Sequence, residues 1–196
     1  ISLSAPPEYR GGRAYHDFEE LTAAERRDPA VSNERAFVRD LTASDDVNPD
    51  EVDAELLRAL DSFVLSGAIK LWRASVDPGL SGAFRHHTML VHESVSQKAH
   101  ADLALRIGRL WKRAGYGSPR ANGRLRELFE GDFKAVTAAR QWEPGLPRAG
   151  SFDDVAPFIG EVLDLVLNSN GDPVVVINGD KEQQYRQVDF QRERVW

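Results

Sequence analysis

Four long stretches of the chain repeat apolar residues at a helical spacing, and two short stretches contain an apolar run bounded by polar residues. The helical patterns cover residues 49–72, 96–114, 121–141 and about 151–166, and the two short stretches are residues 87–92 and 173–178. Apolar side chains that recur every three or four positions predict helices with a buried face. Short apolar segments bounded by polar residues predict buried strands.

The predicted fold class is therefore α/β and helix-rich. Two strands separated by long helices are typical of a parallel sheet whose strands are joined by helical crossovers. The predicted organisation is an extended N-terminal connector (1–48), a helix-strand-helix unit (49–116), a large helical insertion (117–170), and the second strand with the end of the lobe (171–196).

Local signals mark the ends of the predicted helices. Asn48 and Pro49 suit the N-cap and first position of the first long helix, and the glycines and proline of residues 115–119 stop the helix before them. Gly67 lies inside the first long helix, where glycine costs about 1 kcal/mol relative to alanine. A close approach of the backbone to the neighbouring strand would account for this glycine.

The composition is that of an ordinary globular protein and narrows the possible chemistry. The chain has no cysteine, which excludes disulfides, thiolate zinc sites and a cysteine nucleophile. No apolar segment approaches the roughly 20 residues that span a bilayer. The first residues have neither a signal-peptide pattern nor a methionine, so we expect a fragment or processed chain located in a bacterial cytoplasm.

A basic middle segment interrupts an acidic chain. The net charge is −6, yet residues 97–148 contain eleven basic and five acidic residues. Arg106, Arg109 and Arg113 are spaced to form one stripe on the helix that follows the first strand. This stripe could track a phosphate backbone, and a solvated helix face is the alternative interpretation. The predicted track also includes Lys98, Lys112, Arg120, Arg124 and Arg126.

The loops after the two predicted strands are a second candidate for phosphate contact. In a parallel sheet the carboxyl ends of the strands meet at one edge, where ligands bind. Ser94 and Ser96 precede a helix N-terminus, whose amides carry a partial positive charge. Asn178 and Gly179 follow the second strand. We therefore expect these four residues to contribute to nucleic-acid binding.

The sequence contains no familiar catalytic or nucleotide-binding motif. A Walker-type phosphate loop, a dinucleotide-binding glycine pattern and a nucleophile elbow are all missing. Four histidines cluster at positions 86, 87, 92 and 100. Because adjacent strand residues point to opposite faces, polar strand-end roles are favoured over a metal site. We assign no catalytic residue, metal ligand or cofactor-binding residue.

Three segments together resemble one bacterial family. Residues 63–73 resemble its Phe-Leu-Leu-Ala-x-Ala-Ile-Arg helix, residues 86–92 its His-Asn-Ser/Thr-Met-Leu-Ile/Val-His strand, and residues 176–180 its second strand and turn. This is the Z-one domain family, whose members are labelled as endonucleases. They occur in restriction-modification and phage-defence operons beside MORC-type ATPases.

The resemblance implies a layout similar to that of superfamily-two helicases, with the strand at residues 87–92 opening a RecA-like lobe. The chain would then be a piece of a helicase-like, nucleic-acid-dependent ATPase of a DNA restriction or defence system, binding DNA weakly and salt-dependently. ATP and Mg²⁺ are expected only in the full-length protein. Two alternatives are a protein-interaction module that docks another defence subunit, such as a MORC-type ATPase, and a nuclease.

Overall fold

Helices provide the regular structure of the computed structural model, which describes residues 15–39, 49–91, 97–140, 145–170, 172–176 and 195–196. The α-helices are α1 (Asn33–Phe37), α2 (Pro49–Val76), α3 (Gln97–Ala114), α4 (Pro119–Leu128), α5 (Lys134–Ala139), α6 (Phe152–Val155) and α7 (Ile159–Asn170). Short 3₁₀ turns lie at Glu25–Arg27, Pro78–Leu80 and Ala156–Phe158, and a π-helical turn at Phe129–Phe133 joins α4 to α5. None of these helices is long and apolar enough to cross a membrane.

Helix α2 is the element against which most of the others pack. It begins at Pro49, as predicted, and continues one turn past the predicted end, to Val76. The Asp77 carboxylate then accepts a hydrogen bond from the Gly79 N–H at 3.0 Å. Pro78 has no N–H with which to continue the helix. Between these two ends, α2 contacts α3, α4, α6 and α7.

Two apolar clusters follow one another along α2, the smaller against its N-terminal half and the larger against its C-terminal half. The larger joins α2 to α4, the π-helical turn, α6 and α7, and it includes Trp196. The smaller joins Leu56 and Leu60 of α2 to Ile107 and Leu110 of α3. Helix α3 therefore buries a single apolar stripe against α2, and its opposite face is exposed.

The predicted parallel sheet, and with it the RecA-like lobe, is wrong for the residues that the structure describes. Residues 87–91 and 173–176 are not helical, yet they form no strand pairing with each other. Within the described ranges one parallel β-bridge joins His86 to Val195. A short apolar segment indicates burial but does not show what it pairs with, and here both segments line a cavity beside α2 and α3.

The other predicted long helices are confirmed, but two of them are interrupted. Ser118 caps α4 by accepting a hydrogen bond from the Ala121 N–H at 3.2 Å. The π-helical turn then interrupts the helix that was predicted over residues 121–141. The last predicted helix starts after Ser151 but is divided into α6, a 3₁₀ turn and α7. Pro157 lies in that 3₁₀ turn, since it cannot donate the hydrogen bond of a continuous helix.

Candidate nucleic-acid interface

The apolar spacing of α3 determines where its basic residues lie. Ile107 and Leu110 are buried against α2, whereas Arg109, Lys112 and Arg113 are exposed. Residues three or four positions apart are neighbours on a helix surface. The three cations therefore share the solvent face of the C-terminal half of α3.

The three arginines of the predicted stripe are not equivalent. Arg106 Nε donates to Asp53 Oδ1 at 2.7 Å, and Arg113 Nη2 donates to Asp53 Oδ2 at 3.1 Å. The Arg106 side chain is 29% exposed and the Arg113 side chain 65% exposed. Arg106 thus tethers α3 to α2, while Arg113 contacts Asp53 and keeps most of its side chain in solvent.

The exposed cations continue from α3 into α4. Arg109, Lys112 and Arg120 are exposed, and none of them forms an ion pair with a residue in the described part of the chain. Gly115 and Gly117 build the intervening turn with φ values of 61° and 90°, which glycine adopts without a steric penalty. We call Arg109, Lys112, Arg113 and Arg120 the basic edge.

A buried ion pair fixes the basic edge to the core. Asp61 of α2 is 4% exposed, and its two oxygens accept hydrogen bonds from Arg124 Nε at 3.0 Å and Nη2 at 3.1 Å. Arg124 Nη2 also donates to the carbonyl of Ala114, the last residue of α3, at 3.1 Å. Burial, and then the charge of Asp61, raises the pKa of Tyr116 in the connecting turn, so its phenol stays protonated.

Two arginines of the predicted track thus serve the fold. Arg124 holds α3, α4 and α2 together through Asp61. Arg126 donates to Asp153 at 2.6 Å, at the start of α6. The sequence did carry one signal for the first pair, because Asp61 is the single carboxylate between Glu55 and Asp77, in a part of α2 that is rich in apolar residues. A buried carboxylate requires a cationic or hydrogen-bonding partner.

The remaining predicted contacts have different outcomes. Ser94, Ser96, Asn178 and Gly179 lie outside the described residues, so their role stays a prediction. Lys98 lies in the first turn of α3. Among the residues that the structure describes, no group of three or more histidine or carboxylate side chains is arranged to hold a metal ion.

The two segments that were predicted to be strands meet at a cavity of about 360 Å³. Its wall is mainly apolar and includes Leu60 of α2, Ile107 and Trp111 of α3, Met89 and Val174. Leu90, which also lines the cavity, is 91% exposed. The cavity is thus bounded by apolar groups and adjoins an exposed apolar side chain.

His87 lies at the wall of this cavity and is neutral. Its ring stacks on Phe63 with a centroid distance of 4.3 Å and an interplanar angle of 9°. Nε2 lies 2.7 Å from the Phe63 carbonyl. Because a carbonyl can only accept, Nε2 carries the proton and Nδ1 accepts from Lys70 Nζ at 3.1 Å. Burial lowers the pKa of His87 to about 4.

The same histidine explains Gly67. A Cβ at position 67 would lie 3.0 Å from His87 Cδ2 and 3.0 Å from Val162 Cγ1. Gly67 is therefore a point of close approach, as expected, but the approaching groups are the side chains of His87 and Val162 and not a strand. Lys70 completes the arrangement by donating to the His86 carbonyl at 3.2 Å, and burial lowers the pKa of its ammonium.

Comparison with known proteins identifies a family. A family model described as the Z1 domain matches residues 55–196. This range contains α3, α4, the basic edge and the cavity. Neither the curated proteins nor the solved structures contain a match to the chain.

Proposed function

The chain belongs to the Z1 domain family, and on that premise we propose that it supplies a nucleic-acid-binding element to a cytoplasmic DNA restriction or defence protein of a bacterium. The basic edge is the contacting surface. Any ATP hydrolysis or helicase-like step would belong to the full-length protein, because this sequence has no phosphate-binding loop.

The observation that supports the proposal best is the position of Arg120. Cations at a helix C-terminus are stabilised by the helix dipole, which gives Lys112 and Arg113 a structural reason to be where they are. Arg120 lies instead in the first turn of α4, where the dipole disfavours a cation and favours an anion. An anion held by Arg120 would neutralise this cation and would itself be stabilised by the N-terminal end of the α4 dipole.

The expected binding mode is contact with phosphates and not with bases. Arginine and lysine side chains that neutralise phosphates release the counterions of the DNA. For duplex DNA, the logarithm of the binding constant therefore falls by about 0.9 for each phosphate contact when the salt concentration rises tenfold. The three cations of the basic edge that form no ion pair in the described part of the chain, Arg109, Lys112 and Arg120, would give a slope of about −2.7. The acidic remainder of the chain opposes the approach of DNA, so we expect weak binding that is indifferent to sequence.

The test compares two triple variants that change the net charge equally. Arg109→Ala/Lys112→Ala/Arg120→Ala removes most of the basic edge. The control, Arg27→Ala/Arg85→Ala/Arg148→Ala, removes three exposed arginines elsewhere. Labelled duplex and single-stranded DNA are titrated by fluorescence anisotropy over a series of salt concentrations. We expect the edge variant to lose affinity and salt dependence and the control to keep both; equal behaviour would contradict the proposal.

A protein-interaction module is the second candidate, and exposed apolar side chains favour it. Leu90 at the cavity is 91% exposed, and Leu105 on the solvent face of α3 is 66% exposed. Exposed apolar side chains that form a contiguous patch mark surfaces where partner proteins dock. Another subunit of the defence system would be the partner. If folded protein binds no DNA even at low salt, this candidate replaces the first.

A further inference from the structure

We infer that Asp53 is an internal competitor for phosphate at the basic edge and thereby limits the affinity of the chain for nucleic acid. This inference rests on the proposed function. The inference adds that a side chain of the neighbouring helix α2 regulates the basic edge. No sequence motif indicates this role of Asp53.

The geometry places a carboxylate that two arginines hold against a largely exposed cation. Asp53 lies on α2, and both of its oxygens are engaged, one by Arg106 at 2.7 Å and the other by Arg113 at 3.1 Å. The Asp53 side chain is 21% exposed, against 65% for Arg113. Because the carboxylate is the better-held partner, Arg113 is the group that can turn away toward a bound phosphate.

A carboxylate and a phosphate present similar pairs of oxygens to a guanidinium. Asp53 therefore occupies on Arg113 a position that a phosphate would use. Arg113 must give up this contact, or share it, when nucleic acid binds. Arg109 has no such contact in the described part of the chain and binds phosphate without this loss.

Removal of the Asp53 charge should strengthen binding beyond the general effect of one fewer negative charge. Asp53→Asn releases Arg113 for phosphate, and the salt slope should steepen by up to about 0.9 for that one additional contact. The matched control is Asp102→Asn. Asp102 is an exposed carboxylate of α3, and its loss changes the net charge equally without releasing an arginine.

The experiment titrates the same labelled duplex with wild type, Asp53→Asn and Asp102→Asn over a series of salt concentrations, with circular dichroism to verify folding. We expect tighter binding and a steeper salt slope for Asp53→Asn than for Asp102→Asn. Equal affinities and slopes for the two variants would overturn the inference while leaving the proposed function intact. Absence of binding by all three folded proteins at low salt would overturn both.

A second comparison does not depend on the folding of Asp53→Asn. Arg109→Gln and Arg113→Gln each remove one exposed cation of α3 from the otherwise native chain. If Asp53 competes for Arg113, Arg113→Gln should cost less affinity than Arg109→Gln. An equal or larger loss for Arg113→Gln would show that Asp53 does not withhold Arg113 from the nucleic acid.

Discussion

Asp53 and Asp61 of helix α2 both bind arginines from neighbouring helices, and their surroundings differ. Asp61 is 4% exposed, receives both hydrogen bonds from a single arginine and lies beside the larger core. Asp53 lies two turns earlier in α2, is partly exposed and divides its oxygens between Arg106 and Arg113. The same ion-pair chemistry therefore holds the fold in the middle of α2, and we propose that near the N-terminus of α2 it limits access to the basic edge.

Loss of the buried pair should have the largest effect on stability. Asp61→Asn leaves Arg124 without its charged partner, and breaking a buried pair from one side costs about 3–5 kcal/mol. Because the Arg124 side chain is 27% exposed, we expect a value near the lower end, about 3 kcal/mol, measured by urea-induced unfolding. A loss no greater than that of Asp53→Asn would remove the contrast between the two aspartates.

The second prediction concerns the pH dependence of the free energy of unfolding, which the buried His87 should determine. The folded-state pKa of His87 is about 4, below the ordinary histidine value of 6.5, so the unfolded chain binds this proton first as pH falls. Stability should be fully present above about pH 6.5 and should decrease between 6.5 and 4, by at most about 3 kcal/mol. Urea unfolding of wild type and His87→Gln across this range measures the difference, and parallel pH profiles would contradict the account.

The third prediction tests the close packing around His87. Gly67→Ala gains up to about 1 kcal/mol of helix propensity, but overpacking costs about 1–3 kcal/mol. We expect a net loss of about 1 kcal/mol in the free energy of unfolding. Gly123→Ala is the control, because a Cβ added to this helical glycine would meet no atom within 4 Å. If Gly67→Ala is as stabilising as the control, His87 does not pack as described.

The smallest effect is expected at the edge. Asp53→Asn removes ion pairs that are partly exposed to water, and such pairs contribute about 0–1 kcal/mol. The unfolding free energy of this variant should therefore lie within about 1 kcal/mol of wild type. A loss comparable to that of Asp61→Asn would assign Asp53 to the fold and not to the surface.

Sequence periodicity was sufficient to predict α2, α3 and α4, because burial of one face imposes the helical repeat directly on the residues, and the glycines and proline of residues 115–119 predicted the turn between α3 and α4. The same criterion failed at residues 87–91 and 173–176. Their apolar character reflects a shared position at the cavity wall, and burial of that kind carries no information about strand pairing.

The candidate site was predictable to a similar extent. The spacing of the cations placed Arg109 and Arg113 on one exposed face of α3, which the structure confirms. It could not separate them from Arg106, because Asp53 is distant in the sequence and reaches the stripe only through the packing of α2 on α3. Arg124 was assigned to the surface for the same reason, since its partner Asp61 belongs to another helix.

Protection of Lys112 by DNA tests most directly the claim that the basic edge contacts nucleic acid. The unmodified protein is labelled with an amine-reactive ester, with and without saturating duplex DNA at low salt, and mass spectrometry quantifies modification at each lysine. The account predicts that DNA lowers the reactivity of Lys112 and leaves that of Lys134, which is paired with Glu130 in the α5 region, unchanged. Unaltered reactivity of Lys112 in DNA-saturated protein would contradict it.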